Sequence, residues 1–212
     1  MGQRLVVHMM HENKEIANCY YHWSAYTSSS LEVVKQIMEA FTDELTESCK
    51  INGVLDNRLL AIRLLEKTGA GVYSKDAENV LTLYPGLSFA EGNNRNEGLI
   101  SFSEEEMANS NNWSEGDVYI YMDTNIIDFQ VIWEMDDDSI AEYALEDVDE
   151  DEIDENQRKV LIYEYKKQFP ELKLKGYSMD HIPFDKFMDF YEAMENCPSD
   201  FSILGSYYTM IE

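Results

Sequence analysis

Cys19 and His22 have the side chains to ligate a metal, and their spacing speaks against it. Residues three apart on a strand point to opposite faces. Residues 16–26 are aromatic and read as a strand, so the two side chains cannot close on one ion. His8 and His11 straddle the predicted end of the preceding strand, and no paired Cys or His cluster elsewhere completes a zinc site. Asp147, Asp149 and Asp151 have the first three spacings of an EF-hand loop. The sixth position, however, is Glu152 where glycine is needed, and the twelfth is Arg158 where glutamate is needed. The expectation is no metal and no cofactor.

Covalent catalysis finds equally little. There is no Gly-x-Ser-x-Gly elbow, no Gly-x-Gly-x-x-Gly loop and no Walker sequence. The opening strand–strand–helix order is that of amidohydrolases with an N-terminal nucleophile, yet loss of Met1 would expose Gly2, which has no nucleophilic side chain. One polar pocket can still be drawn, from the aromatic strand at 20–26 and the loop Gly92-Asn93-Asn94-Arg95-Asn96-Glu97-Gly98. Its polar members would be His22, Tyr26, Arg95 and Asn96. The plainer reading of such a loop is an ordinary turn.

Charge outweighs all of these. The chain has 42 acids against 16 Lys and Arg, a net charge of −26. Residues 96–157 hold 21 of the acids and not one Lys, Arg or His. The candidate partner-binding acids are Glu104, Glu105, Glu106, Asp136, Asp137, Asp138, Glu142, Glu146, Asp147, Asp149, Glu150, Asp151, Glu152, Asp154 and Glu155. Such a field repels nucleic acid and anionic membranes and attracts basic protein surfaces. B-form DNA carries one charge per ~1.7 Å, so 21 carboxylates match roughly 35 Å of duplex. Trp113, Tyr119, Tyr121, Phe129, Trp133 and Tyr143 interleave with the acids and offer interface anchors. The bland alternative is a surface charged only for solubility.

Positioning elements follow from periodicity. Residues 3–9 and 16–26 read as a hairpin, and a helix is expected over 29–48 with Ser29 and Glu32 as its capping box. A second helix fits 56–68, capped by Asp56 and stopped by Gly69. Residues 69–98 show only the Tyr84-Pro85-Gly86 turn and the polar loop. A short strand at 99–102 leads to Ser103 and Glu106, which resemble a second capping box. The clearest hairpin pairs 117–122 with 126–133 around Asp123-Thr124-Asn125. Helices are expected near 139–147 and over 154–168. Another follows Pro183, placed at its first position, and a last strand is expected at 202–211. Runs of strands and helices without strict alternation predict an α+β fold, a mainly antiparallel sheet with several packed helices.

The 212 residues suffice for one domain, 1–212, with the acidic block 96–157 inside it and a possible sub-domain boundary near 135–157. Cys19, Cys49 and Cys197 are too sparse for a disulfide framework and suit a reducing cytoplasm. The start, Met1 to Val7, is too short in apolar residues for a secretory signal, and Val6 stands where a myristoylation signal needs Ser or Thr.

The opening Met-Gly-Gln-Arg-Leu-Val-Val, with Tyr20-Tyr21-His22-Trp23-Ser24-Ala25-Tyr26-Thr27 and an amphipathic helix after it, resembles a group of proteins encoded by bacteriophages and prophages of Gram-positive bacteria. The stretches Asn94-Arg95-Asn96-Glu97-Gly98-Leu99-Ile100-Ser101 and Trp113-Ser114-Glu115-Gly116-Asp117 are similar to the same group. The resemblance brings no assigned activity and no catalytic residue. It implies a phage setting in the host cytoplasm, where small acidic proteins act as inhibitors of defence nucleases. The expected function is therefore an anti-CRISPR-like DNA mimic, not an enzyme, that occupies the basic groove of a host nuclease or other nucleic-acid-binding protein. The alternatives are a phage enzyme using the pocket above, and an accessory protein whose charge serves only solubility.

Overall fold

The computed structural model describes residues 4–22, 24–25, 27–75, 77–90, 98–130, 141, 144–145, 148, 153–166 and 181–195. The chain opens on a hairpin, β1 (Leu5–His11) and β2 (Lys14–Tyr21). Glu12 and Asn13 make its two-residue turn, both at positive φ, which suits the twist of the strands.

Where one helix is expected over 29–48, there are two: α1 (Thr27–Ala40) and α2 (Asp43–Ser48). Thr42 makes the break. Its backbone is extended, and its hydroxyl accepts the Leu45 N–H at 3.2 Å, so the side chain offers the chain a fresh start. Breaking there lets Phe41 meet Phe184 edge-on, with ring centroids 5.5 Å apart. Ser29 lies inside α1 and not at its cap, and Glu32 instead accepts the Tyr191 hydroxyl at 2.8 Å.

A small hairpin, β3 (Lys50–Ile51) and β4 (Val54–Leu55), leads to α3 (Asn57–Glu66). Asp56 caps α3 by accepting the Leu59 N–H at 2.9 Å, and Gly69 turns the chain at φ 83°. Residues 69–98, which carry only turn and loop signals in sequence, include β5 (Gly71–Val72) and α4 (Ala77–Leu83). Then come β6 (Leu99–Ser101), α5 (Glu104–Asn111), β7 (Gly116–Tyr121) and β8 (Ile126–Gln130). The described chain closes with α6 (Glu155–Lys166), β9 (Ile182–Pro183), a 3-10 turn (Phe184–Lys186) and α7 (Phe187–Glu195). Pro183 thus stands at the cap of the 3-10 turn that leads into α7, one place before the first helical position expected for it. It sits in β9 at the sheet's edge, where a residue without an N–H costs no ladder bond. The strand expected at 202–211 and most of the helix expected near 139–147 lie outside the described residues.

Seven strands form one sheet in the order β5-β6-β2-β1-β7-β8-β9. The fold is α+β, but the sheet is mixed and not mainly antiparallel as the sequence suggests. β1 runs parallel to β7, with His8 opposite Tyr119, and β5 runs parallel to β6. The reason is that hairpin patterning fixes local pairs only, whereas the central β1–β7 contact joins strands a hundred residues apart.

Alternation then sorts the side chains. Leu5, Val7 and Met9 of β1, Ala17, Cys19 and Tyr21 of β2, Val118 and Ile120 of β7, and Ile127 and Phe129 of β8 enter one core with α1, α3 and α7. Gly98 is required behind that core. It lies at φ 81°, and a Cβ there would stand 2.8 Å from the Tyr21 ring and 3.0 Å from Cys19 Sγ. The other face carries His8, Asn18, Tyr20, Ser101, Asp117 and Tyr119, and α5 lies across part of it.

Candidate functional site

The β2–β6 ladder sets Asn18 opposite Ser101 and Tyr20 opposite Leu99, on the face away from the main core. Asn18 ties α5 to that face. Its Nδ2 donates to the Met107 carbonyl at 3.2 Å and to Asn111 Oδ1 at 2.9 Å. Beside this contact an open cleft of about 420 Å³ remains. Arg4, Tyr20, His22, Tyr73, Leu99, Ser101, Glu106, Asn109, Ser110 and Trp113 line it. A smaller hollow of about 260 Å³, including Ser74, Lys75 and Ser103, meets it at Glu106, which lines both.

Aromatic rings dominate the cleft walls. Trp113 is 61% exposed and Tyr73 46% exposed, so both present ring surface to water at the cleft. The Arg4 guanidinium lies 5.4 Å from the Trp113 ring centroid. Arg4 is not free to neutralise anything else: it grips Glu115 through Nε at 3.2 Å and a second nitrogen at 2.8 Å. The His22 ring nitrogen Nδ1 lies 3.0 Å from the Tyr20 hydroxyl.

Glu106 is the buried charge of the site. It is the third residue of α5, behind the N-cap Ser103, and the capping geometry turns it back on the chain. One carboxylate oxygen accepts the Lys75 backbone N–H at 3.1 Å and the other the Ser103 hydroxyl at 2.9 Å. The Lys75 ammonium goes instead to Glu105, at 3.0 Å. Glu106 is thus held by neutral donors, with no ion pair among the described residues.

Next to the cleft, His8 is clamped between two acids. Nδ1 lies 2.7 Å from Glu15 and Nε2 2.8 Å from Asp117. Tyr119 stacks on the ring at 4.3 Å. Burial opposes the charged imidazole, but the hydrogen bonds to Asp117 and Glu15 and their charges outweigh it, so the His8 pKa is raised. Burial likewise pushes the Glu15 carboxyl up, and the His8 contact more than reverses it. The two acids sit on opposite edges of one imidazole, so they do not converge on a common point as metal ligands must.

Of the four pocket residues expected from sequence, His22 lines the cleft, while Tyr26, Arg95 and Asn96 lie outside the described residues. The same holds for Asp136, Asp137, Asp138, Glu142, Glu146, Asp147, Asp149, Glu150, Asp151 and Glu152, and for Trp133 and Tyr143. Among the described partner-binding acids, Glu104 is exposed, Glu105 pairs with Lys75 and Glu106 is buried. Asp154 accepts the Asn156 and Gln157 N–H groups, and Glu155 pairs with Lys159 at 3.3 Å.

Arg4, Tyr73, Asn109 and Ser110 were not singled out by sequence. They come from three separate segments, the start of β1, the end of β5 and the helix α5, which the β1–β2, β2–β6 and β5–β6 pairings bring together. Cys19 points to the opposite face and burial pushes its thiol up to about 12, far from a usable thiolate. No helix among the described residues is long and apolar enough to cross a membrane. Set against protein-family models, curated proteins and solved structures, the chain matches none.

Proposed function

We propose that this is an acidic binding protein of phage origin, acting in the host cytoplasm. It inhibits a host nucleic-acid-handling defence protein, a CRISPR effector nuclease or similar, by seating in that protein's basic groove as a DNA mimic. One observation carries the reading: 62 consecutive residues with 21 acids and no base, in a chain of net charge −26. Arg4, Lys75 and Lys159 pair with Glu115, Glu105 and Glu155 of this block, which lowers its local charge but leaves the field of the whole chain intact. Each pair uses one acid and one base, so even with all 16 Lys and Arg engaged the net charge of −26 is undiminished. A field of that size steers basic surfaces and falls off with salt.

The test is binding of the full chain to a purified basic-groove nuclease, with duplex DNA as competitor. Binding at about 50 mM salt that weakens steeply by about 200 mM, and that DNA displaces, is the expected result. Binding that ignores DNA overturns the mimicry. A variant with residues 136–138 and 147–155 changed to Asn and Gln separates the solubility alternative, which expects no loss of inhibition. The enzyme alternative draws on the meeting of Tyr20 and His22 in the cleft. It requires turnover of some small substrate that H22A abolishes.

A further inference from the structure

We infer that the cleft between β2, β6 and α5 is an anchor socket for an arginine side chain of the basic partner, an assignment that rests on the binding reading above. Three independent features converge there. The first is the wall. Trp113 and Tyr73 hold large aromatic faces in water at the rim of an open cavity, and Tyr20 adds a third ring on the strand side. Aromatic faces attract cations, and exposed rings around a cavity are typical anchor sites at interfaces.

The second is the buried charge of Glu106, 8% exposed and held only by neutral donors. A mostly withdrawn carboxylate without an ion-paired partner is a natural acceptor for a cation, and the Lys75 ammonium reaches Glu106 only through its field while it pairs with Glu105. Among the described residues, the Lys and Arg nearest the cleft are already committed, Arg4 to Glu115 and Lys75 to Glu105. The third is the field: a net charge of −26 raises the local concentration of any cation at a low-dielectric cleft.

Arginine fits better than lysine. A planar guanidinium can stack on an indole while its five N–H donors reach acceptors around it, and the cleft is lined by the polar residues Glu106, Asn109 and Ser110. Arg4 over Trp113 shows within this molecule that the ring accepts a guanidinium at 5.4 Å. The cavity volume of about 420 Å³ admits such a side chain with the backbone at its mouth.

The experiment titrates the full chain at low salt with the peptide acetyl-Gly-Ser-Arg-Ser-Gly-amide, followed by calorimetry. Its citrulline counterpart, which keeps the shape and loses the charge, is the control. The expected result is saturable binding of the arginine peptide, with the citrulline peptide weaker by about ten-fold or more. W113A, at a mostly exposed side chain, weakens the arginine peptide by roughly three-fold, and E106Q weakens it further. If E106Q does not fold, W113A decides alone. Equal binding of the two peptides, no effect of W113A, or preference for a lysine peptide or spermidine over the arginine peptide overturns the assignment. Polylysine in the same buffer separates the two levels of the argument. A chain that binds polylysine but not the arginine peptide loses the socket and keeps the acidic-binding reading, whereas a chain that binds neither loses both.

Discussion

His8 Nε2 lies 2.8 Å from Oδ1 of Asp117, across the parallel junction of β1 and β7. With Nδ1 as close to Glu15, both ring nitrogens face carboxylates, an arrangement that favours the doubly protonated imidazole and raises its pKa despite burial. Ser114 steadies the far side by donating to the same Asp117 oxygen at 2.6 Å.

This clamp makes stability depend on pH in a definite direction. The His8 pKa is raised, so its contribution is complete below the unfolded value of about 6.5 and fades as pH rises through the higher folded value. The Glu15 pKa is lowered, so its share is complete above its ordinary carboxylate value and fades as pH falls through the folded one. The expected outcome is a thermal midpoint highest between those limits, with an alkaline-side decline that H8Q removes. H8A leaves two carboxylates facing each other and costs about 3 kcal/mol at neutral pH. Urea unfolding of both variants across pH checks it; an alkaline limb unchanged in H8Q contradicts it.

Two glycines with the same backbone separate strain from crowding. Gly98 and Gly53 both lie at φ 81°, but a Cβ at Gly53 meets nothing within 4 Å, whereas at Gly98 it meets Tyr21, Ala70 and Cys19. G53A should cost about 1 kcal/mol from the left-handed backbone alone. G98A should cost about 3 kcal/mol, because overpacking against the core adds to it. Denaturant midpoints at constant slope are the measure; equal shifts for the two variants would refute the packing at Gly98.

What could be read in advance divides along physical lines. The β1–β2 and β7–β8 hairpins were legible because their turns and alternation are local. Asp56 and Ser103 were legible as caps because a cap bonds within three residues of itself. The parallel β1–β7 pairing was not, since nothing in Leu5–His11 specifies a partner a hundred residues away. β5 and β9, two residues each, carry no period at all. Thr42 was hidden by the apolar spacing that runs through Phe41 to Leu45 and looks continuous.

The site divides in the same way. His22, one of the four pocket residues expected from sequence, lines the cleft together with its strand neighbour Tyr20. Glu106 stands with Glu104 and Glu105 among the candidate partner-binding acids, although the capping box carries a contrary signal. The third helical residue of such a box reaches back to its own cap and is the least available of the three. Arg4 and Tyr73 carried no signal because each becomes part of a cavity only through a neighbour strand.

Ser103 and Glu106 give a prediction about that box. S103A removes the acceptor for the Glu106 N–H and the donor to its carboxylate together, and should cost about 1 kcal/mol. E105Q, at the exposed pair with Lys75, should change stability by less than about 0.5 kcal/mol. Thermal unfolding of the two variants, side by side, distinguishes a structural Glu106 environment from a merely acidic one. A larger loss for E105Q than for S103A would contradict the assignment.

Cys19 offers the most direct check on which face of β2 meets the core. Its side chain is fully buried, and burial pushes the thiol up to about 12, with hydrogen bonds to Tyr21 and Leu99 pulling the other way. Cys49 is also buried, and its thiol is raised chiefly by that burial. Thiolate, not thiol, attacks disulfide reagents, so neither cysteine should react in the folded chain near neutral pH. Labelling of both should proceed at the rate of unfolding and accelerate in parallel with it as urea rises. Peptide mapping after a brief native pulse is the measurement. Prompt modification of Cys19 would mean that the odd-numbered residues of β2 face outward. That would turn Asn18 and Tyr20 inward and remove the cleft, because a one-residue slip in a strand exchanges its two faces.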